Sequence, residues 1–405
     1  MLRRIDKSIH NLIIENLTIK SSTGLSVVPY YFNFLSGVIT LTQLTGSTEF
    51  PDMNVLLIGD IHIQNEKYVC QIDGKKCNDS KCREYLPNFL DEIIRNTKGM
   101  VDIFFEFPYH KNDSEIYIYH YLEGTMLDTF NYFKKCLSVN KKSCKSQYPN
   151  LRLHYSDLRI YLKSNYKNTT IISKRIDVLS DAVKYWIYIL NKHLKNPFKI
   201  PILQNNIISS HFKMIFQLPS SDDEMKILFD EIWNVPKIQK QLKNIIKKTL
   251  ITKLYDFFWN RIRFYIKWGE ESIMIIINIF RDIKERFVRY YDMIDSKEYL
   301  NSDNIMDFIN DFKTLSDIFG NFRMIEMDLY LMSRLFKKMG GSHPQNVIIY
   351  TGDFHRETYR DFLAQNMNFQ IEFDYTPRLQ TISDNDMCIN MPDKTQPFFI
   401  RPTVR

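Results

Sequence analysis

The same short unit occurs twice in this sequence, nearly three hundred residues apart. NVLLIGDIH occupies residues 54–62 and NVIIYTGDFH occupies residues 346–355. In each copy an apolar run, typical of a strand buried on both faces, leads directly into Gly-Asp-x-His. This duplication limits the fold, because two such strands in one sheet would bring their polar ends to the same edge.

Each copy of the unit continues as alternating helix and strand. After the first copy, LPNFLDEIIRNT has the periodicity of a helix, and VDIFFEF reads as a buried strand that Pro108 stops. This order predicts a parallel pair of strands with a right-handed crossover. Around the second copy, LYLMSRLFKKMGG and RETYRDFLAQ predict helices, FQIEFDY a strand and GDFH a turn. A further strand is predicted at LRLHYSDLR, residues 151–159.

The stretch between the copies has a different pattern. From about residue 177 to 320, the segments are periodic as helices, with few breakers. We therefore predict an α/β fold: a mostly parallel sheet core made of two related βαβ halves, with a large all-helical insertion. The predicted boundaries are 1–49 for a strand-rich extension, 50–176 for the first half, 177–320 for the insertion, 321–376 for the second half and 377–405 for an extended tail.

The helical insertion carries a lysine stripe. Read as one helix, KIQKQLKNIIKKTLITKLYDFFWNRIRFYIKW places Lys237, Lys240, Lys243 and Lys247 on one face. Such a stripe suits a phosphate backbone, so nucleic acid or an acidic protein is a predicted partner. The ordinary alternative is the solvated face of an amphipathic helix. The net charge of +7 on 405 residues does not decide between the two.

Composition indicates a globular protein. Apolar residues make up 44% and charged residues 25% of the chain, which excludes intrinsic disorder and fibrous architectures. The N-terminal segment lacks the apolar run of a secretory signal, and VVPYYFNFLSGVITLTQL contains too many polar residues for a membrane span. We therefore expect a cytoplasmic or virion-associated protein without a membrane span.

The six cysteines form no Cys-x-x-Cys pair, so in a reducing compartment we expect free thiols. Cys70, Cys77 and Cys82 lie close together in a polar loop, where a zinc knuckle or a local disulfide is the alternative. Their spacing matches no standard zinc pattern, which favours free thiols here too.

Polar residues follow the predicted strands. In an open parallel sheet, ligands bind beyond the carboxyl ends of the strands, where loops and helix N-termini converge. One edge of the sheet should therefore gather two histidines, four carboxylates and one arginine: Asp60, His62, Glu106, Asp157, Arg159, Asp353 and His355.

These side chains have the chemistry of a metal site. Imidazole together with carboxylate suits a divalent transition metal such as Zn, Mn, Co or Fe, and a bound metal acidifies water enough to attack an ester or peptide bond. We predict that His62, Glu106 and His355 are metal ligands. Asp60 or Asp353 would hold a ligand imidazole or accept the proton of the attacking water.

Asp157 and Arg159 complete the predicted set of catalytic residues. They lie two apart on a strand and so share a face, and Arg159 would stabilise developing negative charge. A structural ion pair between them is the alternative. Asp353 has an alternative as a helix N-cap, because Asp is preferred there and a helix begins near His355. Glu106 could instead point to solvent at the end of its strand.

The order of these motifs resembles the superfamily that joins erythromycin esterase-like, ChaN-like and TIKI/TraB-like proteins. The matching residues are Gly59 and His62 in GDIH, Glu106 in FFEFP, and Gly352 and His355 in GDFH. The resemblance covers about residues 50–175 and 320–376. It implies an α/β core of two related halves, with a site at their junction that uses both histidines and the glutamate. Such proteins include metal-dependent peptidases, esterases and a haem-binding lipoprotein, so the resemblance does not fix one activity.

Two other functions compete with a hydrolase. Calcineurin-like metallophosphoesterases also have Asp-x-His after a strand, as in Asp60 and His62, but the GDxxD, GNH and GHxH motifs of their two-metal site are missing here. A structural or packaging protein, in which lysine-rich helices bind nucleic acid or protein, would keep the GDxH units only as inherited scaffold. The AT-biased residue usage favours a large DNA virus as the source.

Overall fold

The computed structural model describes the parts of the chain to which all structural statements below refer: residues 34–36, 38–60, 70–72, 75–77, 84–108, 124–137, 142–157, 171–195, 205–245, 247–266, 273–295, 302–339, 341–376 and 388–390. The strands are β1 (Phe34–Ser36), β2 (Thr40–Thr45), β3 (Asn54–Asp60), β4 (Cys70–Ile72), β5 (Lys75–Cys77), β6 (Glu84–Tyr85), β7 (Val101–Pro108), β8 (Leu151–Asp157), β9 (Phe264–Ile266), β10 (Ile273–Ile275), β11 (Asn346–Gly352), β12 (Gln370–Tyr375) and β13 (Cys388–Asn390). The α-helices are α1 (Leu86–Asn96), α2 (Gly124–Leu137), α3 (Lys142–Gln147), α4 (Ile171–Lys195), α5 (Asn205–Phe216), α6 (Asp222–Trp233), α7 (Pro236–Leu242), α8 (Lys248–Arg263), α9 (Ile276–Asp295), α10 (Ser302–Leu335) and α11 (Asp353–Asp361), and a π-helical segment, Phe362–Asn366, follows α11.

The central sheet has six strands in the order β12-β2-β3-β11-β7-β8. The four strands β3, β11, β7 and β8 run parallel, while β2 is antiparallel to β3 and β12 is antiparallel to β2. The predicted fold class is confirmed, since this is a mostly parallel α/β sheet with a large helical part. β2 lies inside the sheet, although its residues fall in the range 1–49 that was predicted as an extension.

The two copies of the repeated unit are adjacent strands. β3 and β11 pair residue for residue, from Asn54 opposite Asn346 to Asp60 opposite Gly352. The second copy has one residue more before its Asp, so Asp60 still belongs to β3 whereas Asp353 begins helix α11. The segment GDFH is therefore a strand end followed by a helix start, and the predicted turn is wrong.

β11 lies between β3 and β7. The predicted pairing of β3 with β7 is therefore wrong, although both strands do run in the same direction. All seven residues of β11 are buried. Such a strand needs a neighbour on each side, because an unpaired edge in the core would leave backbone N–H and C=O groups without partners.

Alternate residues of the sheet face two separate hydrophobic layers. One layer contains α1, α2 and α3 and receives the side chains of Leu56, Ile58, Ile103, Phe105 and Ile348. The other contains the helical part of the chain and receives Val55, Leu57, Phe104, Val347 and Ile349. The sheet is thus covered on both faces, as a mostly parallel sheet requires.

The longest helix joins the helical part to the second half of the sheet. α10 has 34 residues and crosses the predicted boundary at residue 320. It packs against α4, α7 and α8 and also against β8. In the described parts of the chain, none of the helices combines the length and the apolar character needed to cross a membrane.

The lysine-bearing segment is two helices and not the single helix that was predicted. α7 ends at Leu242 and α8 begins at Lys248, and the chain turns at Lys243 and Asn244. The Asn244 side chain donates a 2.7 Å hydrogen bond to the Lys240 carbonyl, which satisfies one of the open carbonyls at the end of α7 and favours the turn. At Phe264 the chain enters β9, which pairs with β10, because the aromatic and β-branched residues there favour strands.

Two cysteines form a disulfide. Cys136 at the end of α2 and Cys144 in α3 are bonded, with Cα atoms 4.8 Å apart. The expectation of free thiols is wrong for this pair, because α3 folds back beside α2 and brings the two sulfurs within reach. Cys70 and Cys77 lie opposite each other in the hairpin of β4 and β5. Cys82 lies outside the described residues.

Replacing Gly59 by Ala should destabilise the fold by about 1–3 kcal/mol, because the added methyl group has no room. An ideal Cβ at Gly59 would lie 2.0 Å from Thr40 Oγ1 and 2.6 Å from Asp353 Oδ1. These two atoms are themselves hydrogen-bonded at 2.5 Å, so neither moves away easily. Urea unfolding of Gly59→Ala measures the change in the free energy of unfolding.

Gly320→Ala is the matched control, since nothing lies within 4 Å of its ideal Cβ in α10. This change should stabilise the protein by up to about 1 kcal/mol, the helix propensity difference between Gly and Ala. Equal effects of the two substitutions would contradict the packing around Gly59.

A buried histidine in the helical part should make the fold sensitive to acid. His211 in α5 lies between the rings of Tyr185 and Phe312, and burial lowers its pKa from 6.5 to about 4. The unfolded chain therefore binds a proton that the folded chain excludes, and stability falls as the pH drops from 6.5 towards 4. Near pH 5 the loss from this group is roughly 2 kcal/mol. His211→Phe should remove that part of the pH dependence in urea titrations, and an unchanged profile would contradict a neutral buried ring.

Candidate active site

Glu106 and His355 meet at the carboxyl end of the central sheet. Glu106 lies near the end of β7, and His355 lies in the first turn of α11 directly after β11. His355 Nε2 is 3.5 Å from Glu106 Oε1, and both residues are buried. Glu106 Oε2 accepts a 2.7 Å hydrogen bond from the N–H of Gly352. The structure thus brings together two of the three predicted metal ligands, while His62 lies outside the described residues.

Sequence analysis missed the carboxylate on the other side of the imidazole. Asp328, in α10, is 1% exposed, and its Oδ1 lies 2.5 Å from His355 Nδ1. A carboxylate oxygen so close to Nδ1 favours a proton on that nitrogen, and in the neutral ring this leaves Nε2 as the acceptor that faces Glu106. The sequence did contain a signal for Asp328. Glu326 and Asp328 interrupt an otherwise apolar run in a helix that is largely buried.

The Glu106–His355 pair fits a metal ion with oxygen and nitrogen ligands. Ligand atoms of a tetrahedral zinc, at about 2.0–2.2 Å from the metal, lie roughly 3.4 Å from each other. The distance of 3.5 Å between Glu106 Oε1 and His355 Nε2 agrees with this. Each side chain is also held by a second contact, as metal ligands usually are. The Gly352 N–H donates to Glu106, and Asp328 contacts His355 Nδ1.

A complete metal site needs more than this pair. Within the described ranges, no group of three or more His, Cys, Asp or Glu side chains is arranged to hold a metal ion. At least one further ligand would have to come from the rest of the chain, which is the role predicted for His62.

Asp60 lies on the other face of the sheet. By strand alternation it shares its face with Leu56 and Ile58, towards α1, α2 and α3. Its Oδ2 accepts a 2.6 Å hydrogen bond from the hydroxyl of Tyr350. The imidazole of His355 is therefore held by Asp328 and not by Asp60. Whether Asp60 contacts His62 stays a prediction.

Asp353 belongs to a network of ion pairs and hydrogen bonds that joins α11 to β2 and β12. Its Oδ1 accepts hydrogen bonds from Thr40 Oγ1 at 2.5 Å and from Arg356 Nε at 2.9 Å. Arg356 is 1% exposed and also lies 3.5 Å from Asp374. A buried guanidinium needs such partners, because an uncompensated charge in the core is costly. These contacts give Asp353 a structural role, and its catalytic role stays a prediction.

Asp157 ends β8 and is buried at the same edge of the sheet as Glu106. Its pairing partner in β7 is Pro108, two residues beyond Glu106. Arg159 lies outside the described residues. The catalytic roles of both residues therefore stay predictions.

A second buried histidine shows what distinguishes His355. His154 Nε2 lies 2.7 Å from Asp102 Oδ1, and Arg334 donates to His154 Nδ1 at 2.9 Å. Burial lowers the pKa of His154 to about 4, and the charge of Arg334 contributes to the same shift. This ring is neutral at pH 7 and uses both nitrogens within the protein. His355 instead presents Nε2 to a carboxylate that could share a ligand with it.

Comparison with known proteins finds a viral relative. The chain is similar to "Uncharacterized protein R706" of Acanthamoeba polyphaga mimivirus, with 25% identity over 257 residues. The aligned region covers 56% of this chain, and the chain spans 58% of that protein. No family model matches the sequence, and no solved structure matches it. The relative agrees with the expected viral source, while the resemblance to erythromycin esterase-like proteins stays a prediction.

Asp328 should decide which nitrogen of His355 carries the proton. At a pH where the imidazole is neutral, ¹⁵N NMR of histidine-labelled protein should show Nδ1–H for His355, because Asp328 is closer to the ring than Glu106. In Asp328→Leu the proton should move to Nε2, facing Glu106. His154 is the internal control, since its contacts predict the Nε2–H tautomer in both proteins. An Nε2–H tautomer of His355 in the wild type would contradict this arrangement.

Proposed function

We propose that the protein is a metal-dependent hydrolase of ester or peptide bonds, with its active site at the carboxyl ends of β7 and β11. The observation that carries this proposal is the buried row Glu106, His355 and Asp328, in which one imidazole lies between two carboxylates. Buried carboxylates and imidazoles cost free energy unless they are paired, and clusters of such groups in a sheet-end position are frequent at functional sites.

The residues of the row have distinct tasks. Asp328 keeps the proton on Nδ1 of His355 and fixes the ring, and the Gly352 N–H fixes the carboxylate of Glu106. Glu106 and His355, with His62 as the predicted third ligand, would hold a divalent transition metal. When bound, such a metal lowers the pKa of a water molecule so that it attacks at neutral pH.

The burial of Glu106 and His355 supports their proposed role as metal ligands. Glu106 and His355 are 6% and 3% exposed, so little bulk water competes for their polar atoms. Electrostatic interactions are stronger in such a site than in water. A bound substrate carbonyl would need a cationic or N–H donor for its developing charge, and Arg159 is the residue predicted for it.

The calcineurin-like alternative is less well supported. Its two-metal site needs the Asp of Asp-x-His beside the other metal ligands. Asp60 instead faces α1, α2 and α3 and accepts from Tyr350, on the other side of the sheet from His355 and Asp328.

Metal content is the decisive measurement. The full chain, purified without chelator or His tag, should contain near-stoichiometric transition metal by mass spectrometry. Glu106→Gln and His355→Gln should each lower the metal affinity at least about tenfold, since even the loss of a residue that only supports a ligand costs about that much. Hydrolysis of ester and peptide substrates should fall in parallel.

His154→Gln is the matched control. It also replaces a buried histidine, and the carboxylate partner Asp102 lies in β7, as Glu106 does. It should retain the metal. His62→Gln tests the predicted third ligand separately. Wild-type protein that binds none of Zn, Mn, Co or Fe even after reconstitution would refute the proposal.

A further inference from the structure

The hairpin of β4 and β5 is a small sheet of its own. Among the residues that the structure describes, no third strand pairs with it. The residues that lie opposite each other are Cys70 and Cys77, Gln71 and Lys76, and Ile72 and Lys75. An isolated two-stranded hairpin is marginally stable in water, so this hairpin needs a further source of stability.

Two of these three cross-strand pairs are of types that stabilise a hairpin little. Neither a glutamine with a lysine nor an isoleucine with a lysine combines two apolar residues or two opposite charges. Apart from the cysteines, Ile72 is the only apolar residue of the two strands, so their sequence provides no apolar face. The remaining pair is Cys70 with Cys77, and a covalent bond between them would hold the strands together.

The residues between the strands favour this register. The sequence there is Asp73-Gly74, and Asp-Gly is one of the pairs that most favour a two-residue hairpin turn. Loop length and turn type fix the register of a hairpin. The pairing of Cys70 with Cys77 is therefore specified by the local sequence as well as by the strands.

The backbone geometry of directly opposite residues suits a disulfide. In an antiparallel pair, such residues have Cα atoms about 4.5–5.5 Å apart. Disulfides join residues whose Cα atoms are about 4.4–6.8 Å apart, so the strands need not move to form the bond. The disulfide between Cys136 and Cys144, with its Cα atoms 4.8 Å apart, lies in the same range.

That first disulfide also indicates the conditions in which the chain folds. Disulfides form and persist in oxidising environments and are rare where glutathione keeps thiols reduced. Cys136 and Cys144 are buried, so the bond between them belongs to the interior of the folded protein. Conditions that oxidise this pair would also oxidise a second pair in a suitable position.

We propose that Cys70 and Cys77 form a second disulfide, which stabilises the β4–β5 hairpin. The oxidant is a small-molecule disulfide such as oxidised glutathione. The Cys70 thiolate attacks it and forms a mixed disulfide with release of one thiol, and the Cys77 thiolate then displaces the second thiol. The chain loses two protons and two electrons, and the oxidant gains them. The bond involves no residue of the proposed hydrolase site, so neither proposal depends on the other.

A peptide map of the full chain tests the proposal. The protein is equilibrated with excess oxidised glutathione, its free thiols are alkylated, and it is digested with trypsin without reductant. Trypsin cleaves after lysine and arginine, and lysines separate all three cysteines of this region. Mass spectrometry should find YVCQIDGK joined to CNDSK, the peptides of Cys70 and Cys77. Cys136 and Cys144 are the positive control, since the same digest should contain their two peptides joined.

Hydrogen exchange tests whether the bond stabilises the hairpin. In Cys70→Ser/Cys77→Ser, the amides of residues 70–77 should exchange at least about tenfold faster than in the wild type, because a disulfide that closes a short loop disfavours local opening by at least this factor. The matched control is Cys136→Ser/Cys144→Ser, which removes the other disulfide. It should leave the exchange of residues 70–77 within about twofold, since the two bonds are independent.

Alkylated thiols at Cys70 and Cys77 after this equilibration would overturn the proposal, as would a link from Cys70 to Cys82. A structural zinc needs four ligands, and this region offers three cysteines. Cysteines that become open to alkylation only when a chelator removes zinc would therefore also overturn it. Equal exchange of residues 70–77 in the wild type and in Cys70→Ser/Cys77→Ser would contradict the stabilising role of the bond.

Discussion

The pairing of β11 with β3 on one side and β7 on the other is the constraint on which the rest of the fold depends. β11 is buried along its whole length, so its backbone groups find partners only in these two strands. The parallel register places the end of β11 beside the end of β7. The Gly352 N–H therefore reaches Glu106, and the helix that begins at Asp353 carries His355 to the same point. The candidate site is a direct result of this strand order.

The same strand order explains why the duplicated motif does not make a symmetric site. One additional residue in the second copy moves Asp353 out of the strand and into a helix, while Asp60 remains in β3. Strand alternation then turns Asp60 to the face of α1, α2 and α3. Equivalent residues of the two copies consequently have different neighbours. Asp60 contacts Tyr350, whereas Asp353 contacts Thr40 and Arg356. Any functional symmetry would have to come from the two histidines.

The strands could be predicted because their signal is local. Runs such as NVIIYT and VDIFFEF are apolar on both faces and end at Gly or Pro, and both form the predicted strands. The position of β11 between β3 and β7 could not be predicted, because strand order depends on long-range pairing. Asp328 was missed for a similar reason, since its partner His355 is 27 residues away and only the packing of α10 brings them together. The break between α7 and α8 depends on the local hydrogen bond of Asn244, which the lysine periodicity conceals.

α10 holds two buried histidines in different ways. Asp328 and Arg334 lie six residues apart on this helix, about 9 Å along its axis. Asp328 faces His355 at the carboxyl end of β11, while Arg334 donates to His154 in β8. Because α10 leads back to the start of β11, Arg334 lies towards the amino ends of the strands, where ligands of parallel sheets rarely bind. The carboxylate on this helix thus serves the histidine of the candidate site, and the guanidinium serves a histidine whose two ring nitrogens are both used within the protein.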